Sequence, residues 1–453
     1  MKPTESRPVL SRRQLIPGAA GIMVVPRHVL GGPRFRAPSD TLNLAGVGVG
    51  GMGAGYVREC ASENIIALCD VDHEYAARTF EKYPKARLYR DFRKMLEQEK
   101  EIDGVIIGTP DHTHAVIAAA AMSLGKHVYC AKPLTRTIHE ARVLARMART
   151  TGVATQMSVQ SSASDGARAV EEWIQAGAIG TVRDVHVWSD RPLWPHAVRR
   201  PKEAPPVPSS LDWDLWLGPA PRRPYHPAYH PWIWRGWWDF GTGATGDMGC
   251  HTLHVIVRAL NLDQPVSVHA TAAAVVRGYQ RPWEGQRPKV VPFPETAPHA
   301  SIITWNFPAR GEAPPVRVTW YDGGLKPPRP PELEPERELG RQGILFMGDN
   351  GTLLSGFSGG PALVPETRNK EFLPPEKALP RTIGHYQEWI AACKGGPPAS
   401  CEFGFGTLLT EITLLGNIAV RTGKVLQWNP IDMKITNDYD ANQYLREPCR
   451  EGW

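Results

Sequence analysis

The sequence predicts an α/β domain built on a parallel sheet, followed by an α+β domain with a largely antiparallel sheet. Three observations predict this organisation. The 453 residues exceed what one hydrophobic core usually organises, short apolar runs alternate with helical stretches from Thr41 onward, and proline-rich connections separate the later strand-like runs. We therefore expect one domain over residues 41–160 and a second over residues 161–453.

Strands and helices alternate along the first domain, as in βαβ units. The predicted strands are Asn43–Val49, Ile65–Asp70, Gly104–Gly108, His127–Cys130 and Ala154–Ser158. The predicted helices are Gly53–Ala61, Glu74–Tyr83, Asp91–Gln98, Thr113–Leu124 and Thr137–Thr150. The last helix begins with a capping box, Thr137 with Glu140, and ends at Gly152.

The second domain begins with a helix over Ala167–Gln175 and a strand over Thr181–Trp188. Further strand-like runs are Val266–Val276, Ser301–Asn306, Val316–Trp320 and Ile344–Met347. Two helices are expected at Ile383–Cys393 and Phe405–Thr422, and the final stretch, Asn437–Trp453, has no clear period.

A glycine run follows the first strand. The letters GVGVGGMG place Gly48, Gly50 and Gly53 in GxGxxG register where a helix begins. The first glycine permits a tight turn, the second lets the backbone approach a pyrophosphate, and the third allows close helix packing. With Gly51 and Met52, these residues form the predicted phosphate-binding loop of a Rossmann domain.

Asp70 ends the second strand and strengthens this interpretation. It lies 22 residues after Gly48 (70 − 48 = 22), close to the spacing of about 20 residues typical of the acid that binds the adenosine ribose. A carboxylate at this position also repels a 2′-phosphate. The sequence therefore predicts a nicotinamide dinucleotide as cofactor, with NAD favoured over NADP.

Three further motifs carry a family resemblance: TPDHTH at residues 109–114, the Lys132-Pro133 pair, and DMGCH at residues 247–251. Together with the glycine run, they resemble those of the Gfo/Idh/MocA oxidoreductases, and the resemblance covers nearly the whole chain from about Leu42. It implies a Rossmann domain followed by an open-faced, mostly antiparallel sheet with helices on one face. It also implies a homo-oligomer, a dimer or tetramer, formed through that sheet.

The resemblance also implies roles for individual residues. Lys132 corresponds to the lysine of the family's Glu-Lys-Pro motif, and Asp247 and His251 correspond to its Asp-x-x-x-His acid-base pair. The residues expected beside the nicotinamide end of the cofactor are Thr109, Pro110 and His114.

Two positions depart from the family pattern. Ala131 precedes Lys132 where the family has glutamate, which removes a carboxylate able to orient the lysine or support its charge. Val159 stands before Gln160 in a stretch where related sequences often carry a polar residue. These departures leave open an alternative, a member that binds NAD and sugar but has weakened catalysis.

The chemistry of these residues fits hydride transfer from a carbinol. Such an oxidation needs a base for the hydroxyl proton and a positive group that steadies the developing alkoxide. Asp247 and His251 are four residues apart and can project from one helical face, while Lys132 follows a parallel strand where open sheets place ligands. Taken singly, a helix N-cap for Asp247, a core histidine and a surface lysine are the alternative interpretations.

Aromatic residues are concentrated before the Asp247 motif. Eight of the 15 tryptophans lie between Trp188 and Trp238. Because aromatic faces stack on sugar C–H surfaces, the group favours a carbohydrate or cyclitol substrate, although a packed loop is the alternative. The residues predicted to contact the substrate are Gln160, Arg191, Trp194, His230 and Arg235.

The predicted function is hydride transfer between NAD and a secondary hydroxyl of a sugar, sugar derivative or cyclitol. An alternative is a redox-assisted glycosidase, in which transient oxidation of a ring hydroxyl acidifies the adjacent C–H and elimination expels the aglycone. Net NADH production supports the first function, and aglycone release without net NADH supports the second.

Composition argues against several other classes. The net charge of +6 is small and scattered, so a nucleic-acid partner is not expected. The seven cysteines show no CxxC pair and no Cys/His spacing of a structural zinc, so no metal is predicted. No segment after the first 40 residues reaches the roughly 18 uninterrupted apolar residues of a transmembrane helix.

The first 40 residues are similar to an export leader. Basic residues, among them Arg12 and Arg13, precede the apolar run Leu15–Val25, and the letters SRRQLI at residues 11–16 resemble a twin-arginine signal. We expect a periplasmic or secreted protein. The alternative is a cytoplasmic protein with an uncleaved leader.

Overall fold

The first sheet of the protein contains six parallel strands. They are β1 (Asn43–Val47), β2 (Asn64–Cys69), β3 (Arg87–Tyr89), β4 (Gly104–Ile107), β5 (His127–Cys130) and β6 (Thr155–Met157). Their order is β3-β2-β1-β4-β5-β6. The direction of winding reverses between β1 and β4, the position at which open α/β sheets bind ligands. The predicted Rossmann-type sheet is confirmed.

The structure is a computed structural model that describes residues 40–277, 289–291, 293–356 and 359–453. Leu42–Trp453 forms one compact unit. Residues 1–39 of the predicted export leader lie outside the described residues, and that leader stays a prediction.

Five helices pack on the parallel sheet. They are α1 (Met52–Glu59), α2 (Ala77–Lys82), α3 (Phe92–Gln98), α4 (Asp111–Ser123) and α5 (Ile138–Thr151). The capping box at α5 is confirmed: Thr137 and Glu140 exchange side-chain-to-backbone hydrogen bonds, and Gly152 ends the helix at φ 69°. The helix α2 begins later than predicted because Asp72 first closes a turn by accepting the N–H of Tyr75 at 3.2 Å.

The second sheet contains nine strands. They are β7 (Val182–Trp188), β8 (Ser267–Ala272), β11 (Ser301–Phe307), β12 (Val316–Tyr321), β13 (Gly343–Gly348), β14 (Gly351–Ser355), β15 (Pro361–Val364), β16 (Leu426–Asn429) and β17 (Lys434–Ile435). Their order is β15-β14-β13-β7-β12-β11-β8-β16-β17; β7 and β12 run parallel and the other neighbours antiparallel. The predicted mostly antiparallel sheet is confirmed. Two more strands, β9 (Val275–Arg277) and β10 (Lys289–Val291), pair in a separate ribbon.

Six further α-helices follow β6 among the described residues. They are α6 (Asp165–Gln175), α7 (Trp213–Leu217), α8 (Gly243–Ala259), α9 (Glu366–Glu371), α10 (His385–Cys393) and α11 (Phe403–Thr422). Within the described ranges, only α11 has the length and composition of a membrane span, and 78% of its apolar window is buried inside the protein. It packs against α5, α8, β8 and β11, and its Glu411 is fully buried against Arg142 of α5. The helix is therefore a core element shared by both sheets.

The segment leading into α11 also completes the edge of the parallel sheet at β6. The Met157 N–H donates to the Cys401 carbonyl at 2.8 Å, and the Cys401 N–H donates to Gln156 Oε1 at 2.9 Å. The Phe403 N–H donates to Thr155 Oγ1 at 3.0 Å. The exposed groups of β6 are thus satisfied by chain that lies more than 200 residues later in sequence.

Candidate active site

A cavity of about 310 Å³ opens at the carboxyl ends of the parallel strands and continues toward α8. Its wall includes Val47 and Cys69, which end β1 and β2, Ala131, which follows β5, and the glycine loop. Every predicted site residue lines it except Gly53 and His114. The predicted cofactor and substrate residues therefore share one continuous pocket.

The glycine loop has the geometry of a phosphate cradle. Gly48 adopts φ +73°, and a Cβ there would lie 2.7 Å from the Thr109 backbone nitrogen. A Cβ on Gly53 would lie 1.9 Å from the Gly48 carbonyl oxygen. Only glycine fits these two positions, so the backbone turns tightly into α1 and directs the N-terminus of this helix at the pocket. Gly53 serves packing rather than contact, as the sequence motif predicts.

Asp70 holds this loop in place. Its Oδ2 accepts the N–H groups of Val49 and Gly50 at 2.8 and 3.0 Å, and its Oδ1 accepts the Asp72 N–H at 3.0 Å. Burial raises the pKa of Asp70, and these three hydrogen bonds oppose the shift. An ionised carboxylate accepts about four hydrogen bonds, so acceptor capacity remains on the pocket side for a ribose hydroxyl.

Tyr75 covers the glycine loop, which the sequence analysis did not anticipate. A Cβ on Gly50 would lie 2.2 Å from Tyr75 Cδ1, so the aromatic ring fills the space left by the missing side chain. The ring also meets His230 edge-on at 5.7 Å. His230 in turn lies 3.0 Å from Asp72 and, although burial opposes it, helps to lower the pKa of this carboxyl to about 2. The predicted substrate residue His230 is thus fixed in the wall near the loop.

The catalytic candidates meet at the other end of the pocket. Lys132 Nζ donates to Asp247 Oδ1 at 2.7 Å and to the Asp247 carbonyl at 2.6 Å. Arg235 Nε lies 3.4 Å from the same Oδ1. Burial raises the pKa of Asp247, but the charges of Lys132 and Arg235 outweigh it and hold the pKa below its usual range. Asp247 is therefore an ionised partner of two cations.

The contact between Lys132 and Asp247 bears on Ala131, the residue that precedes the lysine. The side chain of Ala131 is buried in an apolar cluster with Tyr56 and Tyr129, while its neighbour Lys132 points at Asp247. The carboxylate that the family pattern places before the lysine is absent, and Asp247 of α8 supplies a carboxylate instead. The Lys132 N–H donates to Ser158 Oγ at 3.0 Å, which fixes the backbone of the lysine as well.

Asp247 and His251 both lie inside α8, which begins at Gly243 with Thr242 as its N-cap. Asp247 is therefore not a helix N-cap, and both side chains line the pocket from one face of the helix. Burial, followed by the charge of Lys132, lowers the pKa of His251 well below its ordinary value. The imidazole is consequently neutral near pH 7, which is the form that can accept a proton.

Asp111 is a pocket carboxyl that sequence reasoning missed. It lies at the start of α4, accepts a hydrogen bond from Thr242 Oγ1 at 2.7 Å, and is 3% exposed. Burial raises its pKa to about 7, helped by the nearby Asp247 and opposed by the Thr242 hydrogen bond. The signal was present in the TPDHTH motif, but the pKa depends on burial that spacing does not reveal.

Some residues of the TPDHTH motif line the pocket, and others hold the surrounding backbone in place. Thr109 and Pro110 line the pocket, as expected. His114 does not: its ring nitrogens lie 2.9 Å from the Pro133 and Thr109 carbonyl oxygens, and burial lowers its pKa to about 4. His114 therefore ties the Thr109 loop to the Lys132-Pro133 segment and positions the lysine rather than touching a ligand.

The remaining predicted substrate residues, Gln160, Arg191, Trp194 and Arg235, line the substrate end. Trp232 and Trp234 join them, and the Arg235 guanidinium lies 4.1 and 4.3 Å from their ring centroids. Gln160 Nε2 donates to Tyr386 at 3.2 Å, and Trp194 Nε1 donates to His196 at 3.0 Å. Some rings of the tryptophan-rich segment therefore pack in the interior and others face the pocket, and their stacking on a sugar stays a prediction.

Trp453 contributes to the opposite end of the wall, near Phe92 of α3. The Arg93 guanidinium lies 4.4 Å from the Trp453 ring centroid, and Arg450 Nε donates to the Gly218 carbonyl at 2.9 Å. No sequence pattern indicated this role, because the contacts join positions 232 to about 360 residues apart.

The described part of the chain contains no group of three or more metal-ligating side chains. Its pocket fits a dinucleotide instead: the loop leaves no room for a Cβ, an α-helix N-terminus follows it, and a carboxylate lies beside it. The same pocket extends from the glycine loop to Lys132 and Asp247.

Two family models match the chain. Residues 42–159 match one described as "Oxidoreductase family, NAD-binding Rossmann fold", and residues 182–281 match one described as "Oxidoreductase family, C-terminal alpha/beta domain". Both matches agree with the two sheets described above.

Curated relatives match the first part of the chain. An inositol 2-dehydrogenase of Salmonella paratyphi B is 32% identical over 102 residues, which cover 21% of this chain and 30% of that protein. A levoglucosan dehydrogenase of Pseudarthrobacter phenanthrenivorans is 28% identical over 115 residues, covering 25% of this chain and 29% of that protein. The chain thus spans about a third of the length of these relatives.

Solved structures show the same fold over most of the chain. The WlbA dehydrogenase from Bordetella pertussis, in complex with NADH and UDP-GlcNAcA, has a TM-score of 0.59 at 16% identity and covers 86% of this chain and 99% of its own. A levoglucosan dehydrogenase in complex with NADH and L-sorbose has a TM-score of 0.54 at 18% identity and covers 86% and 100%.

Proposed function

The chain belongs to the Gfo/Idh/MocA oxidoreductase family, and from that premise we propose that it is an NAD-dependent oxidoreductase that acts on a secondary hydroxyl of a sugar, sugar derivative or cyclitol. The observation that carries the proposal is the Lys132–Asp247 pair, which lies in the same pocket as the glycine loop. Relatives named inositol, levoglucosan and D-apiose dehydrogenase support the substrate class.

NAD, when bound, supplies the hydride acceptor for this chemistry. The backbone of Gly48–Met52 and the N-terminus of α1 would hold its pyrophosphate, and Asp70 would bind the adenosine ribose. Thr109 and Pro110 line the pocket between the loop and Lys132, where the nicotinamide end belongs.

His251 and Lys132 have different roles in the removal of the hydroxyl proton. The neutral His251 accepts the proton of the substrate hydroxyl, and the Lys132 ammonium steadies the negative charge that develops on the oxygen. Asp247 orients Lys132 in the pocket by accepting two hydrogen bonds from its Nζ, one at the side chain and one at the backbone carbonyl. Its second cation, Arg235, keeps Asp247 ionised, so the three side chains act as one unit.

The test begins with the cofactor. The purified protein is denatured, the released nucleotide is identified, and sugars, cyclitols and aryl glycosides are then screened for change in the nicotinamide absorbance band. We expect NAD and net NADH formation with a sugar or cyclitol. A protein that binds NAD but produces neither NADH nor aglycone would contradict the proposal and favour a weakened, binding-only member.

A redox-assisted glycosidase is a second candidate, and Asp111 favours it. A carboxyl with pKa near 7 can act as general acid for a leaving group, a role that simple dehydrogenation does not require. Release of p-nitrophenol from an aryl glycoside in the presence of NAD, without net NADH, would select this candidate.

We also propose that the twin-arginine-type leader directs export to the periplasm. The support is the SRRQLI string and the apolar run that follows it. Cells that express the chain with Arg12→Lys and Arg13→Lys together should retain it in the cytoplasm, whereas the unchanged chain should fractionate with periplasmic proteins.

We propose, finally, a homo-oligomer formed through the second sheet. The support is the family resemblance, together with exposed side chains on β8 such as His269 and Thr271. Sedimentation of the purified protein should give a dimer or tetramer, and a monomer at micromolar concentration would contradict this.

A further inference from the structure

The substrate end of the pocket has an excess of positive charge. Three cationic side chains line it: Lys132, Arg191 and Arg235. Lys132 and Arg235 share a single ionised carboxylate, Asp247. The other nearby carboxyl, Asp111, is partly neutral near pH 7 because burial raises its pKa. A neutral sugar would leave this charge unbalanced in a largely enclosed space.

Arg191 makes no ion pair and no side-chain hydrogen bond among the described residues; its charge acts on the adjacent Asp190, where, against the effect of burial, it joins Gln342 and Arg341 in lowering the pKa. The Nε of Arg191 is buried. The adjacent carboxylate, Asp190, instead ion-pairs with Arg341 and accepts a hydrogen bond from Gln342 at 2.7 Å. A buried donor without an acceptor is unfavourable, so the site calls for an acceptor on the ligand.

The backbone holds Arg191 firmly at this place. Its N–H donates to Ser189 Oγ at 3.2 Å, and its carbonyl accepts the Gly323 N–H at 2.6 Å. These bonds fix the main chain of Arg191 in the pocket wall, and a carboxylate matches a guanidinium edge with two parallel hydrogen bonds.

Arg235 is fixed in the same region. Its guanidinium stacks near the Trp232 and Trp234 rings, Nη1 donates to the Trp232 carbonyl at 3.1 Å, and Nε faces Asp247. Its Nη2 makes no hydrogen bond among the described residues, so a second donor is available in the pocket that Arg191 lines.

We propose that the substrate carries a carboxylate, as a uronate or sugar acid does, and that Arg191 binds this group with Arg235 in support. The inference rests on the proposed function, since it names the substrate class of the same pocket. A carboxylate is favoured over a phosphate because a dianion would bring a second negative charge close to Asp247 and Asp111. Arg191 would thus determine specificity, while Lys132 and His251 act on a hydroxyl elsewhere on the ring.

The experiment measures binding rather than turnover. NAD-loaded protein is titrated calorimetrically with D-glucuronate against D-glucose, and with D-galacturonate against D-galactose; each pair differs in a carboxylate at one carbon. D-Glucose 6-phosphate is the phosphate probe. We expect the uronates to bind at least tenfold more tightly than their neutral partners and more tightly than the phosphate.

Substitutions of Arg191 test whether this residue causes the preference for uronates. Arg191→Gln should remove the uronate preference, and Arg191→Lys, which keeps the charge but loses the paired donors, should retain only part of it. Arg200→Gln is the matched control, because Arg200 lies in the same segment, pairs with Glu295 and does not line the pocket. Unchanged thermal unfolding of Arg191→Lys excludes misfolding as the cause of its loss.

Equal affinity for uronate and neutral sugar, including undetectable binding of both, would overturn the proposal, as would tighter binding of glucose 6-phosphate. A uronate preference that depends on Arg191, with no hydride transfer to any probe, would support the carboxylate site and overturn the oxidoreductase instead. The two proposals therefore fail in different ways.

Discussion

Lys132 Nζ lies 2.7 Å from Asp247 Oδ1, and this contact joins the end of β5 to the middle of α8. The lysine follows a strand of the parallel sheet, whereas the aspartate belongs to a helix of the second domain that packs against α6 and α11. A side chain from the cofactor side and one from the substrate side thus form a single ion pair.

Replacing Lys132 by methionine tests the ion pair directly. Lys132→Met keeps the length of the side chain but removes the ammonium that steadies the substrate oxygen, so turnover should fall by about 10²–10⁴-fold. Affinity for NAD should change little, because the glycine loop and Asp70 are untouched. Steady-state NADH formation and NAD titration measure the two effects. Lys126→Met is the control, because Lys126 is half-buried, its Nζ donates to the Lys100 carbonyl, and it does not line the pocket. Turnover equal to wild type in Lys132→Met would remove Lys132 from the mechanism.

Asp111→Asn tests the raised pKa of the buried carboxyl. In the folded protein this pKa is about 7 against an ordinary 3.8, so the unfolded chain releases the proton first as pH rises. Asp111 therefore lowers the free energy of unfolding of the wild type. This loss grows between about pH 4 and pH 7 and stays constant at higher pH. Asparagine does not titrate and can still accept from Thr242. The melting temperature of Asp111→Asn minus that of wild type should rise from pH 5 to pH 8.

The same substitution has a kinetic signature. Ionisation of Asp111 places a negative charge near Lys132 and Asp247, so the wild-type profile of kcat/KM against pH should show an inflection near pH 7. Asp111→Asn should lack this inflection. Its persistence in the variant would assign it to another group.

Gly53 and Gly55, both in α1, provide a matched pair of positions at the glycine loop. Gly53→Ala would place a Cβ 1.9 Å from the Gly48 carbonyl and should abolish NAD binding and lower the melting temperature. Gly55→Ala lies in the same helix with only the Arg58 side chain within 4.0 Å, and should stabilise by about 1 kcal/mol through helix propensity. Thermal unfolding with and without NAD checks both, and equal behaviour of the two variants would contradict the cradle geometry.

The buried pair between Arg142 and Glu411 predicts a large stability effect far from the pocket. Arg142→Met leaves the fully buried Glu411 without its cation, which should cost roughly 3–5 kcal/mol of unfolding free energy. Arg146→Met, at an exposed arginine of the same helix, should change stability by less than about 0.5 kcal/mol. Denaturant unfolding measures both. The double variant Arg142→Met, Glu411→Met should recover most of the loss.

Local patterns were sufficient to predict much of this molecule. The glycine spacing, Asp70, the strands of the first sheet and the helix that carries Asp247 and His251 follow from periodicity and turn chemistry, which act over short stretches of chain. The short edge strand β3 was missed because only three residues form it, two of them exposed. The strands β14 to β17 were missed as well, and each contains five residues or fewer.

Tertiary contacts account for what the sequence did not reveal at the site. Tyr75 reaches Gly50 across a turn, Trp453 reaches Phe92 from the far end of the chain, and the pKa of Asp111 is set by burial against Thr242. The role of His114 was read as ligand contact because its motif lies beside the pocket. Its ring is instead committed to two carbonyl groups.

The backbone contacts at β6 have a practical consequence for engineering. A fragment ending near residue 160 would leave this strand without the 401–403 segment that caps it, and the exposed edge would favour aggregation. Transplanting the cofactor half onto the catalytic half of another protein would meet the same difficulty. A successful chimera must carry Cys401, Phe403 and the α11 face behind them along with the parallel sheet, although they are remote from it in sequence.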